Sequence, residues 1–284
     1  MHPHVPSWPS AEDISHFDEH GWVTSPHIIP DDLLDEAAET VEAYYLGERD
    51  HQLPVQGFLD WHPEHGEGLR LNDYVSLQSD SLRKLVCWPE IGRAAAALMR
   101  AQCVRLFHDQ LVTKPPAAAG INTRVGWHTD KSYWKSCSSE RMLTAWIPFH
   151  DCSELAGPLA VVDGSHKWEN TEWMATFVVQ DFASIEQRLG RAIAPRPMLL
   201  KRGQISFHHA RTIHGSFANE SEGFRTALAV HIQDAENAYV RPPAGNGRVP
   251  VHINDLLCRR LADGSPDYAD PGICPTLWPL TSSG

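Results

Sequence analysis

The spacing of apolar residues changes near Arg105, and with it the kind of element the chain predicts. Upstream, apolar positions recur at helical intervals. The stretch "PDDLLDEAAETVEAYYLGE", opened by Pro30, reads as an amphipathic helix with acids in its first turn. "SAEDISHFDEHG" begins on a capping-box pattern at Ser10 and closes at Gly21. "WVTSPHII" reads as a short strand, and "DSLRKLVCW" and "PEIGRAAAALM" as two further helical pieces. Downstream come short β-rich runs: "RLFHDQLVTK", "MLTAWIPFHD", "PLAVVDGS", "QISFHHARTIH" and "RTALAVHIQD". Turn clusters such as "PPAAAG", "DGS", "KRG" and "NESEG" separate them. Helices followed by strands predict an α+β fold: an antiparallel β-core, a barrel or jelly roll, with helices packed outside. Without repeats or a low-complexity linker, one domain is expected over 1–284. Its helical part runs from about 10 to 101, its β-core from about 102 to 235, and a C-terminal wrap from 236 to 284. That wrap, "NDLLCRRLADGSPDYADPGICPTLWPL", is rich in Pro and Asp and unlike a strand, with Trp278 as its anchor.

Composition removes several classes of function. The chain has 284 residues, 42% hydrophobic and 21% charged, enough for a sizeable core. A net charge of −12 argues against nucleic acid or an anionic membrane as partner. No apolar run approaches the ~18 residues of a membrane span, and the N-terminus lacks a basic head and apolar signal core. A cytoplasmic location is therefore expected. The six cysteines show no CxxC and no tight spacing, so they read as core or surface thiols. Oligomeric state is not legible.

Candidate chemistry lies among the 17 histidines, most of which must be discounted. His2, His4, His16 and His20 read as solvated. His62 and His65 flank a loop proline in "DWHPEHGEG" and have at most a substrate role. His208 and His209 are adjacent, so on a strand only one can face a site. His128 and Asp130, in "GWHTDKSYW", differ from these. Residues i and i+2 of a strand share a face, and aspartate is a poor strand guest. His214 follows in "QISFHHARTIHGSFANES", and Arg225 on the next predicted strand. Two histidines and a carboxylate on one face of a metal select non-haem Fe(II) and leave positions open for a chelating cosubstrate and O2. A buried arginine would fork onto a carboxylate of that cosubstrate. HxD alone is a weak signal; HxD with the distant His and Arg is more specific.

The blocks "LVTKPP", "WHTD", "TAWIPFHD", "GPLAVVDGSH", "KRGQISFHHARTIHGSFANES" and "FRTAL" occur in this order between residues 111 and 228, the best part of a likeness that runs from about residue 15 to 235. In this the chain resembles the phytanoyl-CoA dioxygenase-type family of Fe(II)/2-oxoglutarate-dependent oxygenases. The resemblance implies a double-stranded β-helix core of the jelly-roll, cupin-like kind. It places iron on His128, Asp130 and His214, and the distal carboxylate of 2-oxoglutarate on Arg225 and Ser216. Trp146, Gln110 and Thr129 match further cosubstrate positions. An upstream lysine of some members has no clear counterpart, the nearest position being Asn72 in "RLNDYV". A halogenating subgroup carries a small residue in place of the carboxylate, so Asp130 argues against halogenation. The activity implied is oxidation of an unactivated C–H bond of a small organic substrate, with release of succinate and CO2. Hydroxylation is the default outcome; desaturation, cyclisation and epimerisation use the same cofactors. The low lysine content and acidic charge give no support for a CoA substrate, which favours a natural product or small carboxylate.

Other readings accompany these. Tyr133 and Trp134 are expected at the pocket mouth, as core or as substrate contacts. Lys131 either pairs with an acidic substrate group or is solvated. Gly157, Gly164 and His166 read as turn architecture. Arg225 could instead pair with Glu222 to hold a turn. A zinc hydrolase would use the same three ligands, but it leaves Arg225 and Ser216 unexplained and no HExxH is present. A metal-free jelly-roll binding protein leaves the triad without a task.

Overall fold

The computed structural model describes residues 8–117, 121–175, 181–244 and 249–280. His2, His4 and the end of the expected "PPAAAG" turn lie outside the described residues. The first half of the chain forms α1 (Ala11–His20), β1 (Trp22–Thr24), α2 (Asp31–Tyr45), β2 (Arg70–Asp73), α3 (Val75–Gln78), α4 (Asp80–Val86), α5 (Pro89–Leu98), β3 (Val104–Lys114) and β4 (Val125–His128). The second half forms β5 (Met142–Pro148), β6 (Leu159–Val162), α6 (Phe182–Leu189), β7 (Pro195–Pro197), β8 (Ser206–His209), β9 (His214–Ser216), β10 (Arg225–Asp234), α7 (Asn254–Leu257) and β11 (Thr276–Trp278). A large antiparallel sheet runs β1-β8-β5-β10-β3-β11, with β2 also on β3, and a smaller one runs β4-β9-β6-β7. With helices outside the large sheet, this is the α+β double-stranded β-helix that pattern and resemblance imply.

Alternation along β10 shows how the layers are set. Leu228, Val230 and Ile232 are fully buried and pack with Leu34, Leu82 and Leu98 of the helices. Each such side chain contributes about 1.5–3 kcal/mol. Ala227 and Ala229 face the other way, where they meet Trp146, Leu159 and Val161 between the sheets. Small residues there leave room for a cavity. Ser10 caps α1 as expected, its hydroxyl accepting from the Asp13 amide while the Asp13 carboxylate accepts from the Ser10 amide.

Four expectations change. The run "QISFHHARTIH" is broken into β8 and β9, which belong to different sheets. The chain turns between them, with the Thr212 amide on His209 O at 2.8 Å and its hydroxyl on Gly21 O at 2.7 Å. The helical part contains a strand, β2, paired with Gln110–Thr113 of β3. The C-terminal wrap ends in a strand after all: β11 pairs with Val104 and Arg105, the stretch of β3's edge that β2 leaves open. His16 and His20 are half-buried rather than solvated. Their rings stack at 4.2 Å, and His20 Nδ1 lies 2.9 Å from Asp163 Oδ1, which ties α1 to the turn after β6. Gly157 and Gly164 hold left-handed turns with φ of 64° and 65°, and His166 donates to Asp18 O at 3.2 Å, as architecture requires. No described helix is long and apolar enough to cross a membrane.

Candidate active site

Three buried side chains from two elements and a turn converge between the sheets. His128 ends β4 and His214 begins β9, and the two are register partners across the small sheet. Asp130 lies just beyond β4, at the start of a short 3-10 turn, Asp130–Ser132. The carboxylate is thus not in a strand, which resolves the conflict with strand propensity. His128 Nδ1–H donates to Gly126 O at 2.7 Å and His214 Nδ1–H to Thr212 O at 2.9 Å. Each bond fixes the tautomer and places the lone pair on Nε2. Asp130 Oδ1 lies 3.8 Å from His128 Nε2 and 3.5 Å from His214 Nε2. One ligand atom from each residue falls within 4.8 Å of the others, which suits a single metal ion. Asp130 Oδ2 accepts from the Thr144 hydroxyl at 2.5 Å, and this bond turns Oδ1 toward the imidazoles.

Electrostatics agree with ligation. Burial, then the neighbouring imidazole, pushes His128 down to about 4, and burial likewise pushes His214 down to about 4. Both are neutral donors at pH 7. Burial opposes charge on Asp130, yet His214, His208 and His231 around it hold the carboxyl well below the usual range. The donor set of two neutral imidazoles and one carboxylate fits divalent iron.

A cavity of about 280 Å³ opens beside this triad. On one side stands Arg225, only 1% exposed, with Nε and Nη1 lacking a hydrogen-bond partner among the described residues. Burial pushes its pKa down to about 10. Its guanidinium carbon lies 5.5 Å from the Trp146 ring centre. Glu222 does not pair with it, nor does any other acid among the described residues. Lys114 sits opposite Arg225 in the β3–β10 register. It is fully buried, and donates to Ser216 Oγ at 2.6 Å and to Phe217 O. Burial and the Arg225 charge hold its pKa well below the usual lysine range. A buried guanidinium with two unpartnered N–H groups and no counter-charge fits a carboxylate such as that of 2-oxoglutarate, with Lys114 next to it.

Other expected residues divide. Gln110, Trp146, Ser216, Tyr133 and Trp134 line the cavity. Thr129 does not: its hydroxyl bonds Ser132 Oγ at 2.5 Å, because the residue between two ligands points the opposite way. Lys131 is also outside, its ammonium donating to Cys137 O and Ser139 O and pairing with Glu140 at 3.4 Å. Asn72 is buried under the 58–66 loop, donating to Asp60 Oδ1 and Trp61 O. From that loop Leu59, not His62 or His65, reaches the cavity. Of the His208–His209 pair only His208 lines it, as alternation requires. Sequence reasoning missed Lys114, Thr144, His108, His231 and His252. Lys114 and Thr144 were within reach, since each shares strand parity with a named residue, Gln110 and Trp146 respectively.

The sequence profile of the phytanoyl-CoA dioxygenase (PhyH) family matches residues 17–227. The chain belongs to the phytanoyl-CoA dioxygenase family. That family consists of Fe(II)/2-oxoglutarate-dependent oxygenases, so iron and 2-oxoglutarate are the cofactors that the triad and the buried arginine fit. Peroxisomal phytanoyl-CoA dioxygenase of Bos taurus is 27% identical over 147 residues, covering 48% of this chain and 42% of the bovine protein. The chain thus spans about two fifths of the length of the first curated relatives it matches. Among solved structures, the non-heme alpha ketoglutarate dependent carbocyclase SnoK from nogalamycin biosynthesis is similar at a TM-score of 0.68 and 24% identity, over 94% of this chain and 96% of that one. EctD from S. alaskensis, with 2-oxoglutarate and 5-hydroxyectoine, gives a TM-score of 0.70 and 19% identity, over 91% and 85%. These two likenesses carry the phytanoyl-CoA dioxygenase fold, not a substrate.

Proposed function

We propose that this chain is an Fe(II)- and 2-oxoglutarate-dependent oxygenase that oxidises a C–H bond of a small organic substrate, by default hydroxylating it. The observation that carries the reading is a buried His/Asp/His set sharing one cavity with a buried arginine that has no counter-charge. A hydrolytic metal site has no use for the second feature. When bound, iron with 2-oxoglutarate and O2 supplies an oxidant strong enough for an unactivated C–H bond.

The chain's own residues have distinct tasks in this reading. His128, Asp130 and His214 hold the metal, with Gly126 O, Thr212 O and the Thr144 hydroxyl fixing their donor atoms. Arg225 forks onto the far carboxylate of 2-oxoglutarate, with Ser216 and Lys114 beside it and Trp146 as the wall. Gln110, oriented by its bond to Asp73 Oδ1 at 2.7 Å, flanks the same cavity. Tyr133 and Trp134 form an aromatic wall for the substrate and keep water from the reacting bond. Among the described lining residues the only charged side chains are Asp73, Asp130 and Arg225. With Arg225 committed to the cosubstrate, no cation remains for the phosphates of a CoA thioester.

The test is succinate release from 2-oxoglutarate by the Fe(II)-loaded protein, screened against candidate substrates with product mass recorded. A product heavier by one oxygen supports hydroxylation. One lighter by two hydrogens supports desaturation or cyclisation, and an unchanged mass epimerisation. Absence of Fe(II)-dependent succinate in every reaction, with 2-oxoglutarate failing to bind, contradicts the proposal.

A further inference from the structure

The half of the cavity away from Arg225 is lined by imidazoles that are not part of the His128/Asp130/His214 set. His108, His231 and His252 meet there, with ring centres 5.1 Å apart for His108 and His231 and 5.7 Å for His108 and His252. Hydrogen bonds at His231 and His252 fix which ring nitrogen offers a proton. Thr144 has one hydroxyl proton, and it is donated to Asp130 Oδ2, since a carboxylate only accepts. The contact of 2.7 Å between Thr144 Oγ1 and His231 Nδ1 must therefore run from Nδ1–H to the hydroxyl oxygen. In a neutral imidazole the other nitrogen, Nε2, is then a bare acceptor. The His231 ring stacks on His108 and meets Trp134 at a steep angle, and its Nε2 has no hydrogen-bond partner among the described residues. His252 is the converse case. Its Nδ1 accepts the Asn254 amide at 3.2 Å, which leaves the proton on Nε2. One ring offers an acceptor and the other a donor.

We propose that His231 is a specificity-determining residue, whose Nε2 accepts a hydrogen bond from a hydroxyl or N–H group of an uncharged substrate, with His252 Nε2–H as the matching donor. This deepens the oxygenase reading and rests on it. The substrate class is a compact, hydroxyl- or amide-bearing molecule with an apolar body. Leu59, Leu71, Val251 and Ile253 supply the apolar lining, and Tyr133 and Trp134 the flat wall. The Thr144 hydroxyl links the two halves of the site, since it both accepts from His231 and donates to the proposed metal ligand Asp130. A substrate held on His231 is thereby placed one side chain from the metal.

The experiment uses the full chain loaded with Zn(II) and 2-oxoglutarate, with phenol and toluene as probes of similar shape. Affinities are read by ligand-observed NMR for the wild type, His231→Leu and His231→Gln. His231→Leu should weaken phenol about threefold to tenfold, the worth of one neutral hydrogen bond, and leave toluene unchanged or tighter. His231→Gln, which keeps an acceptor near the same place, should recover most of the phenol affinity. Equal effects on both probes, or none on phenol, would overturn the proposal. Should His231→Leu fail to fold, the wild type decides through its histidine ring 15N spectrum. A non-protonated Nε2 on His231 supports the assignment, and a protonated one overturns it. Failure of the wild type to bind 2-oxoglutarate would instead sink the oxygenase reading, so the two failures are told apart.

Discussion

Arg225 and Lys114 face one another across β10 and β3 with no acid between them, an arrangement that folding alone would disfavour. Removing one partner of a buried, hydrogen-bonded charge pair costs about 2–5 kcal/mol, or about 30- to 5,000-fold in affinity at ~1.4 kcal/mol per decade. Arg225→Ala should therefore raise the 2-oxoglutarate requirement at least about tenfold, while metal affinity stays within about twofold; titrating each into the folded variant checks it. Arg225→Lys should fall between, because an ammonium cannot fork onto a planar carboxylate. Lys114 adds a pH signature. Its pKa is lowered in the fold, so the ligand-free folded state binds fewer protons there than the unfolded chain, and stability rises with pH through the lowered value. An arriving carboxylate favours the charged form, so 2-oxoglutarate binding should take up a proton and weaken as pH rises through that same range. Calorimetry in buffers of different ionisation enthalpy should show the uptake in wild type and its loss in Lys114→Met. At this scale the sequence was legible where a motif names residues, as with His128 and Arg225. It was less so where a partner is recognised only once strands are in register, as with Lys114 and Thr144.

Strand β9 is three residues long and carries the last ligand, so its seat against β4 decides the metal geometry. Gly215 is the reason the two can approach. A Cβ there would lie 3.0 Å from Val125 O and 3.1 Å from the Trp127 ring. Gly215→Ala should thus push β9 off β4 and separate His214 from His128. We expect a loss of about 1–3 kcal/mol in stability, the usual scale of overpacking, and at least about tenfold in Zn(II) affinity, read by thermal melts and metal titration. Unchanged Zn(II) affinity would show that β9 tolerates the shift. Helices α1, α2, α4 and α5 and the long strands β3, β5 and β10 were readable from apolar period and caps, whereas α3, α6 and α7 were not. β2, β9 and β11 were not, because each is three or four residues long without the clear apolar run that marked β1 and β6, and each is defined by the strand it pairs with. The aspartate that looked misplaced in a strand was the sign that β4 stops at His128.

Across the whole molecule, two sheets bring together residues that are far apart in sequence, so metal binding should stabilise the fold as a unit. Zinc and nickel bind such a donor set at least as tightly as iron. Each should raise the melting temperature, and neither should support oxidation. The alternation and the resemblance made the architecture legible at this scale. The identity of the substrate was not, since it depends on the shape and polarity of a cavity assembled from strands of both sheets, the loop at Leu59 and the 251–253 segment. The most direct test of the account is succinate formation from 2-oxoglutarate under air by the Fe(II)-loaded wild type and by Asp130→Ala, each with and without chloride. The account predicts slow Fe(II)-dependent turnover in the wild type, essentially none in the variant, and no recovery or halogenated product with chloride. Near-wild-type turnover in Asp130→Ala, or faster turnover with Zn(II) than with Fe(II), would contradict it.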